Sequence, residues 1–499
     1  MYLGIDLGTS ELKALLLDAS HRIVASLGEP LTLQRPQPLW SEQQPADWWA
    51  ACDRALLRLA AAQPAAMAQV RALALSGQMH GAVLIDAQGV PLRPAILWND
   101  GRSAAECIEL ERRVPQLQTI TGNLAMPGFT APKLLWLARH EPAVFARIDG
   151  VLLPKDWLRL QLTGERISDM SDAAGTLWLD VAARRWSSEM LGACGLRPLQ
   201  MPRLVEGSAP GGTLLPALAR RWGLPCGRGV AVTVAGGGGD NAASAVGMGV
   251  VRPGQGFLSL GTSGVIFLAG DHFQPNPAQA VHAFCHALPG RWHQMSVMLS
   301  AASSLRWVTQ LLGLADEAAL LSQVATLDAA QQAQAPIFLP YLSGERTPHN
   351  NPQAQGVFFG LDSSHGAAAL GHAVIEGVAF GLLGGWRALQ AAPGVVPALS
   401  LVGGGARSAL WAQLLSSTLN LPLHTHTGGE AGGALGAARL AWLADLGQQG
   451  VGAADAEAAV CRTPPLAQRF EPDERQHEAL MARYGRFSAL YPALQPLFG

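Results

Sequence analysis

Two short segments of this chain repeat one pattern of small and hydroxylated residues. Residues 5–10 read Ile-Asp-Leu-Gly-Thr-Ser, and residues 258–263 read Leu-Ser-Leu-Gly-Thr-Ser. Apolar stretches flank both segments, which predicts two β-strands joined by a tight turn. A single Gly-Thr-Ser tripeptide is usually an ordinary turn, but the N–H groups and hydroxyls of such a turn can also face an anion. One copy in each half predicts a duplicated fold that holds one polyphosphate between its halves.

The two copies differ at one chemically important position, where the first has Asp6 and the second has Ser259. A carboxylate beside phosphates repels them unless a cation such as Mg²⁺ lies between. The difference therefore indicates that any phosphate held by the first copy is held together with a cation.

Asp240 is the strongest candidate for a catalytic residue. It follows four glycines, residues 236–239, at the end of a strand predicted over residues 230–234, and it precedes a helix predicted over 241–246. A carboxylate on such an edge could accept the proton of an attacking hydroxyl group during phosphoryl transfer. The alternative is a helix N-cap, a common role for aspartate. A cap does not require four glycines, whereas close approach of a substrate does.

Length and composition limit the class of protein. The chain has 499 residues, of which 49% are hydrophobic and 14% charged, and its net charge is −2. This length predicts two large domains, 1–245 and 246–499. The charge argues against non-specific binding to nucleic acid. No uninterrupted apolar run is long enough for a membrane span, and no secretory leader is visible. The six scattered cysteines predict free thiols in a reducing cytoplasm.

Hydrophobic periodicity predicts alternating strands and helices along the chain. Strands and turns are expected over 1–34 and 71–98, and a strand over 398–402 runs into the glycines 403–405. The final fifty residues are predicted to be helical. The other predicted helices cover 45–62, much of 103–225, 299–313, 366–391, 408–419 and 432–446.

Common motifs of other nucleotide-binding proteins and hydrolases are missing. The sequence contains no GxxxxGK[ST] phosphate loop, no GxGxxG, no HExxH and no GxSxG. His282, Cys285 and His286 could suggest a metal site. In a strand, however, the two histidines share a face and the cysteine points away, which favours an ordinary strand.

In combination, these residues resemble the FGGY carbohydrate kinases from Met1 to about residue 440. The resemblance covers both phosphate motifs, an adenosine motif and two family signatures. Their positions in this chain are 4–10, 259–264, 401–408, 128–137, and 356–361 with 373–376.

Five further segments are similar to those of family members that act on D-xylulose. The most telling are Ser76-Gly-Gln-Met-His-Gly81 and Trp98-Asn-Asp-Gly-Arg102. The other three span residues 153–157, 169–175 and 341–348. The resemblance thus implies ATP-dependent phosphorylation of D-xylulose at O5, in a route of D-xylose breakdown that feeds the pentose phosphate pathway.

The resemblance also implies the fold and the roles of the site residues. The expected fold is α/β, with two duplicated actin/hexokinase-like (ribonuclease H-like) ATPase domains and a cleft between them. The first would carry sugar, first phosphate hairpin and catalytic aspartate, and the second would bind ATP. Asp240 would be the general base, and Asp6 would orient Mg²⁺ or its waters, with Asp240 as a second candidate metal ligand. Sugar contacts are expected from Gln78, Met79, His80, Trp98, Asn99, Asp100, Asp240 and Asn241. ATP contacts are expected from Gly8, Thr9, Ser10, Lys13, Gly261, Thr262, Ser263, Gly403, Gly404, Gly405, Ala406 and Ser408.

Two positions depart from the family pattern. Glu11 replaces the glycine expected after the first Gly-Thr-Ser, and Ala369 replaces a polar residue of the second signature. Two alternatives remain open at this point: a kinase for another ketose or polyol, and an actin- or chaperone-like binding protein switched by nucleotide. The resemblance further implies a homodimer, and the composition described above predicts a cytoplasmic protein that binds neither nucleic acid nor membrane.

Overall fold

The structure, a computed structural model, describes residues 1–227, 229–389, 396–427 and 432–498. The described part of the first half contains the strands β1 (Tyr2–Leu7), β2 (Glu11–Leu17), β3 (Ile23–Pro30), β4 (Glu42–Gln43), β5 (Ala72–Gly77), β6 (Val83–Ile85), β7 (Ala95–Ile96), β8 (Gly150–Leu152), β9 (Ile167–Asp169), β10 (Leu179–Asp180), β11 (Arg185–Trp186), β12 (Arg203–Val205), β13 (Pro210–Thr213), β14 (Thr233–Ala235) and β15 (Gly238–Gly239). The helices around them are α1 (Pro45–Ala62), α2 (Pro64–Met67), α3 (Ala104–Arg113), α4 (Leu117–Thr121), α5 (Thr130–His140), α6 (Pro142–Phe145), α7 (Pro154–Thr163), α8 (Met170–Ala174), α9 (Ser188–Ala193), α10 (Pro216–Arg221) and α11 (Asp240–Met248).

The second half has fewer strands and longer helices. Its strands are β16 (Gly256–Leu260), β17 (Gly264–Gly270), β18 (His282–Cys285), β19 (Trp292–Met298), β20 (Ile337–Leu339), β21 (Val357–Phe359), β22 (Leu399–Val402), β23 (Leu423–His426) and β24 (Leu466–Phe470). Its helices are α12 (Ala302–Leu311), α13 (Glu317–Val324), α14 (Ala329–Gln334), α15 (Ala367–Ala388), α16 (Ala409–Leu419), α17 (Gly432–Gln448), α18 (Ala453–Val460) and α19 (Glu474–Leu494).

The two main sheets share one central arrangement. In the first sheet, β1, β2 and β3 form an antiparallel meander, and β5 and β14 continue it as parallel strands beside β1. In the second sheet, β16, β17 and β19 form the meander, and β22 and β23 are the parallel strands beside β16. Both Gly-Thr-Ser segments therefore join the first two strands of a sheet, as the repeated pattern predicts.

Side chains of β1 alternate between two apolar layers. Leu3, Ile5 and Leu7 pack with α1 and α7 on one face of the sheet. Tyr2, on the other face, packs with α11 and α17. This period of two follows from the alternation of side chains along a strand. Asp6 lies on the same face as Tyr2, and its face is covered by a helix from the second half of the chain.

Helices α17 and α11 pack with their backbones in close contact. A Cβ atom at Gly436 would overlap the carbonyl oxygen of Ala243. Buried Arg439 of α17 donates to the carbonyl oxygens of Val246 and Gly247, at 3.1 and 2.9 Å, near the end of α11. Helix α17 thus joins the second half to the first sheet. The predicted domain boundary at 245/246 falls inside α11, and as a division of the chain it stays a prediction.

Several predicted elements need correction. The strand predicted over 230–234 is β14, Thr233–Ala235, and Val230 is 55% exposed because it lies in a loop before the sheet. The last fifty residues are not all helical, since β24 pairs with β23 as the edge of the second sheet. The helices predicted over 45–62, 299–313, 408–419 and 432–446 match α1, α12, α16 and α17 within three residues. Residues 390 and 391 of the helix predicted over 366–391 lie outside the described residues.

Helix α15 is long and apolar enough to span a membrane, but 67% of its most apolar stretch is buried within the protein. Its Glu376 is fully buried and pairs with Arg483 at 2.7 Å. This pairing satisfies a charge inside the helix, as expected for a core helix. All six cysteines are free thiols.

The contact between α17 and α11 predicts opposite effects of the same substitution at two glycines of α17. Gly436→Ala should lower the free energy of unfolding by about 3 kcal/mol, because the new methyl group would meet a backbone that cannot yield. Gly447→Ala should raise it by about 0.5–1 kcal/mol, because Gly447 is exposed, none of the described residues lies near its Cβ position, and alanine favours a helix. Denaturant unfolding of both variants measures the difference. Equal effects would contradict the close contact.

Candidate functional site

A cavity of about 270 Å³ lies between the two halves of the chain. We call it the inner cavity. It falls just below the range of about 300–1,000 Å³ that is typical for drug-sized ligands, so it suits a small solute. Residues of both halves line it: Met79, His80, Trp98, Met126, Gly128, Phe129, Asp240, Asn241, Ser259, Ser263, Val265, His282, Met295, Val297 and Arg346.

A second cavity, of about 390 Å³, adjoins the inner one. We call it the adjoining cavity. Its lining residues are Asn241, Ser244, Met248, Phe257, Ser259, Val402, Gly403, Gly404, Arg407 and Gly432. Asn241 and Ser259 line both cavities. Two ligands could therefore meet at these residues, beside Asp240.

Strand register places Asp6 and Asp240 at the same edge of the first sheet. Asp6 is opposite Ser76 of β5, and Gly238 of β15 is opposite Ser76 from the other side. Asp240 begins α11 directly after β15. The backbones of β1 and β15 are thus about 10 Å apart, twice the spacing of neighbouring strands. Asp6 is the next-to-last residue of β1 and Asp240 directly follows β15, so both carboxylates lie at the carboxyl ends of parallel strands, where ligands of α/β sheets bind.

The carboxylate of Asp240 does not cap α11. Gly239 is the N-cap residue, and no side chain caps this helix. The carboxylate of Asp240 instead accepts hydrogen bonds from the backbone and side-chain nitrogens of Asn241, at 2.7 and 2.9 Å. Burial raises the pKa of Asp240 to about 6, although the bonds from Asn241 oppose the shift. A pKa near the working pH suits a general base.

Buried polar side chains hold the four-glycine loop before Asp240. Arg159 donates to the carbonyl oxygens of Ala235, at 2.7 Å, and Gly236. The hydroxyl of Ser171 accepts from the N–H of Gly239 at 3.1 Å. Gly237 has a φ of +76°, and a Cβ atom there would overlap the carbonyl oxygen of Leu75. The loop can follow this path only because of its glycines.

A buried ion cluster lies behind this loop. The ammonium of Lys155 contacts Asp156, Asp169 and Asp172 at 2.6, 2.7 and 3.2 Å, and all four side chains are fully buried. Burial alone would lower the pKa of Lys155, but the three carboxylates together raise it. The carboxylates lie close enough to one another to hold a metal ion. The ammonium already contacts all three of them, so the cluster carries its own cation.

His80 has strained backbone at the wall of the inner cavity. Its φ of +67° lies in the left-handed region, which residues other than glycine rarely adopt outside functional sites. Its carbonyl oxygen accepts from Thr130 Oγ1 at 3.1 Å and from Lys133 Nζ at 2.8 Å. Burial lowers the pKa of His80 to about 3, and Nδ1 donates to the carbonyl oxygen of Gly175 at 2.6 Å. The ring is therefore neutral, and its Nε2 is an acceptor.

Of the other predicted sugar contacts, the structure brings Met79, Trp98 and Asn241 to the inner cavity. Asn99 is exposed and does not line it. Gln78 bonds instead to Gln43 and Thr9. These placements separate residues at the cavity wall from residues that only support it.

Asp100 requires a correction. Its carboxylate is buried and is occupied by Arg102, with bonds of 2.8 and 2.6 Å, and by the N–H of Ser41, at 2.6 Å. The guanidinium of Arg102 stacks on Trp40, 3.6 Å from the ring centre. Asp100 thus fixes the segment that carries Trp98 and does not reach the inner cavity.

The first Gly-Thr-Ser turn lies near the cavities without lining them. Gly8, Thr9, Ser10 and Lys13 belong to neither wall. The hydroxyl of Thr9 accepts from Trp98 Nε1 at 3.0 Å and donates to Gln78 at 3.2 Å. This hydroxyl connects the turn to the residues around the inner cavity.

The side chain of Glu11 lies towards the neighbouring strand β3. This exposed side chain lies over Gly28 of β3, and its carboxylate is 4.0 Å from Lys13. The carboxylate therefore points along the sheet surface.

The second Gly-Thr-Ser turn and the glycines 403–405 divide between the two cavities. Ser263 lines the inner cavity, and Gly403 and Gly404 line the adjoining one. The other predicted ATP residues here line neither. The carbonyl oxygens of Gly261 and Thr262 accept from the start of α12, Gly405 and Ala406 belong to the turn Gly404–Arg407, and Ser408 caps α16.

A divalent cation fits the position of Asp6. The Oδ1 atom of Asp6 and the hydroxyl of Ser76 are buried and have no hydrogen-bond partner among the described residues. Burial raises the pKa of Asp6, and the nearby hydroxyl of Ser76 and then the ammonium of Lys13, opposite Asp6 in the β1–β2 register, counteract this shift. Carboxylate oxygens are the ligands that Mg²⁺ prefers. The orphaned oxygen thus offers a ligand atom beside Asp240.

Sequence reasoning missed several cavity residues. Phe129, His282 and Arg346 line the inner cavity, and Ser244 and Arg407 line the adjoining one. Four of these five lie in or next to segments already singled out by their motifs, at 128–137, 241–246, 341–348 and 401–408. His282 is the exception, because the pattern around it favoured an ordinary strand over a ligand site.

Comparison with known proteins agrees with this architecture. Residues 1–247 match the N-terminal domain of the FGGY family of carbohydrate kinases, and residues 256–444 match its C-terminal domain. The xylulose kinase of Escherichia coli (strain K12) is 54% identical over 498 residues, which cover 100% of both chains.

Solved structures extend the comparison to three dimensions. A xyloylose kinase from Brucella ovis is 50% identical, with a TM-score of 0.94 over 99% of both chains. A xylulose kinase from Rhodospirillum rubrum is 30% identical, with a TM-score of 0.89 over 100% of this chain and 99% of its own. The duplicated actin/hexokinase-like fold is thereby confirmed. With both family domains matched over most of its length, the chain belongs to the FGGY family of carbohydrate kinases.

Proposed function

We propose that this chain transfers the γ-phosphoryl group of ATP to O5 of D-xylulose, giving D-xylulose 5-phosphate and ADP. The position of Asp240 is the observation that supports phosphoryl transfer. Asp240 lies in the wall of the inner cavity, next to the residues that also line the adjoining cavity. The choice of sugar is supported by the xylulose kinases that are 54% and 52% identical over their full length.

Each cavity suits one substrate. The inner cavity combines apolar walls with polar groups that can bind hydroxyls, among them Nε2 of His80 and the side chain of Asn241. We assign D-xylulose to it. The adjoining cavity has three glycines and the cation Arg407, which suit a nucleotide with its phosphates. We assign ATP to it.

The proposed reaction has one chemical step. The O5 hydroxyl of the sugar attacks the γ-phosphorus of ATP, and Asp240 takes the hydroxyl proton. The bond from the γ-phosphorus to the β–γ bridging oxygen breaks, and ADP leaves. Such transfers depend mainly on positioning and charge stabilisation. Asn241 orients the carboxylate of Asp240 through two hydrogen bonds.

We further propose that Mg²⁺ accompanies ATP. Asp6, and with it Asp240, would hold the ion or its waters, because Asp6 has a buried oxygen without a partner among the described residues. When bound, the ion would neutralise charge on the phosphates. The homodimer, the cytoplasmic location and the independence from nucleic acid and membrane stay predictions.

The proposed function predicts sugar-dependent release of ADP that requires Asp240. A coupled assay should show strong preference for D-xylulose over L-xylulose, D-ribulose, glycerol, D-fructose and no sugar. Asp240→Asn should lower kcat by about 10²–10⁴-fold, because the amide cannot accept the proton. Asp455→Asn, in the exposed first turn of α18, is the matched control and should keep wild-type kcat.

Three results would contradict parts of the proposal. Turnover with another sugar alone would overturn the choice of D-xylulose. Hydrolysis of ATP that no sugar stimulates would favour the nucleotide-switched binding protein. An unchanged kcat in Asp240→Asn would remove its role as base.

The pKa of Asp240 predicts an acid limb in the pH profile. The base acts only when deprotonated, so kcat/KM for D-xylulose should rise with pH through about 6 and then level off. Initial rates from pH 5 to 8 at saturating ATP measure this limb. The Asp455→Asn control should keep it, and a profile that is flat through pH 6 in the wild type would contradict the assignment.

The loop behind Asp240 predicts a positioning role for Ser171. Ser171→Ala leaves the N–H of Gly239 without its acceptor, and kcat should fall about tenfold, equivalent to about 1.4 kcal/mol. The KM for ATP should not change, because Ser171 does not line the adjoining cavity. Ser322→Ala, at an exposed position of α13, is the control. Loss of stability without loss of kcat in the folded variant would show that Ser171 is only structural.

A further inference from the structure

Arg346 brings a cation from the second half of the chain to the inner cavity. It lies between β20 and β21, in the segment 341–348 that the sequence singled out, and its side chain lines the cavity. Its guanidinium makes one hydrogen bond to the described residues, from Nη1 to Nε2 of His282 at 3.2 Å. A guanidinium has five N–H donors, so most of them remain for a ligand.

His282, the hydrogen-bond partner of Arg346, has a defined tautomer and a neutral ring. Asn123 donates from Nδ2 to the carbonyl oxygens of Thr121 and Ala283, at 2.8 and 3.0 Å. Its Oδ1 must therefore accept from Nδ1 of His282, at 3.0 Å. Burial lowers the pKa of His282 well below its ordinary value, so the ring is neutral and Nε2 accepts from Arg346. This chain of bonds runs from the first half to the second and fixes the guanidinium.

The guanidinium forms no ion pair with a carboxylate of the described residues. The neighbouring Glu345 uses Oε1 to accept from the N–H groups of Leu299 and Arg346, at 3.0 and 2.7 Å. Burial raises the pKa of Glu345 to about 8, so this group is largely protonated at neutral pH. A desolvated cation with free donors, and without a countercharge, favours a ligand rich in oxygen.

Arg346 lies at the His80 side of the inner cavity. Its partner His282 packs against Phe129, with ring centres 5.5 Å apart, and Phe129 packs against His80, at 4.7 Å. Asp240 lies instead next to Asn241, which lines both cavities, whereas Arg346, His80 and His282 line only the inner one. A pentulose whose O5 meets Asp240 would therefore direct its opposite end, C1 and C2, towards Arg346.

We propose that Arg346 binds the keto end of the sugar, donating hydrogen bonds to the C2 carbonyl oxygen and so favouring a 2-ketose over a polyol. A guanidinium only donates, and its planar fork matches the two acceptor lone pairs that lie in the plane of a carbonyl group, whereas the C2 hydroxyl of a polyol lies out of that plane. A site built around such a pair discriminates against an analogue that lacks the carbonyl. This inference rests on the proposed function.

Kinetics with D-xylulose and xylitol, its reduced analogue, test the role of Arg346. Arg346→Met should raise the KM for D-xylulose about 10–100-fold, with the KM for ATP unchanged. kcat/KM for xylitol should fall less than about threefold, so the preference for the ketose collapses. Arg346→Lys keeps the charge without the planar fork and should recover only part of the preference. Arg185→Met is the matched control, because Arg185 is exposed and its side chain forms no hydrogen bond or ion pair with the described residues.

A binding measurement separates contact from folding. Calorimetry without nucleotide should show the same 10–100-fold loss of D-xylulose affinity in Arg346→Met, and thermal unfolding should show that the variant is folded. Equal losses for D-xylulose and xylitol, or unchanged affinity for D-xylulose, would overturn the role of Arg346 while the proposed function stands. A wild-type enzyme that phosphorylates no ketose, or that prefers xylitol, would overturn both.

Discussion

The close contact of α17 with α11 is the constraint on which the site depends. Helix α17 belongs to the second half of the chain, yet it covers the face of the first sheet from which Asp6 projects. Gly436 allows the two helix backbones to come into contact, and Arg439 donates a hydrogen bond to a carbonyl oxygen near the end of α11. Because α11 starts with Asp240, this contact holds the proposed base at a fixed place relative to Asp6 and to both cavities.

Charge is arranged on two sides of the four-glycine loop. On the buried side, the ammonium of Lys155 neutralises a group of carboxylates, and burial raises the pKa of Asp172 well above its ordinary value. On the cavity side, Asp240 faces the space where we place the sugar. Breaking a buried pair costs about 3–5 kcal/mol, so the scaffold behind the loop resists movement. The loop can therefore be rich in glycine and still hold its carboxylate in one place.

Features that repeat, or whose residues lie close together along the chain, could be predicted from the sequence. Both hairpins, the glycine loop and the position of Asp240 follow from local patterns, and the order of the motifs led to the family. Contacts between distant residues were not predictable. Arg346 meets His282 across 64 residues, and Ser41 meets Asp100 across 59. A polar residue in a motif therefore could not be assigned to the cavity wall or to a buried network before the tertiary packing was known.

The central claim is that the two cavities meet at Asp240, so that one hydroxyl of one sugar receives the phosphoryl group. Two-dimensional ³¹P–¹H NMR of the product formed from D-xylulose and Mg-ATP tests this most directly. The account predicts a phosphorus signal coupled to the two protons on C5, with one ADP formed per sugar phosphate. A phosphorus coupled to the protons on C1, or inorganic phosphate as the product, would contradict it.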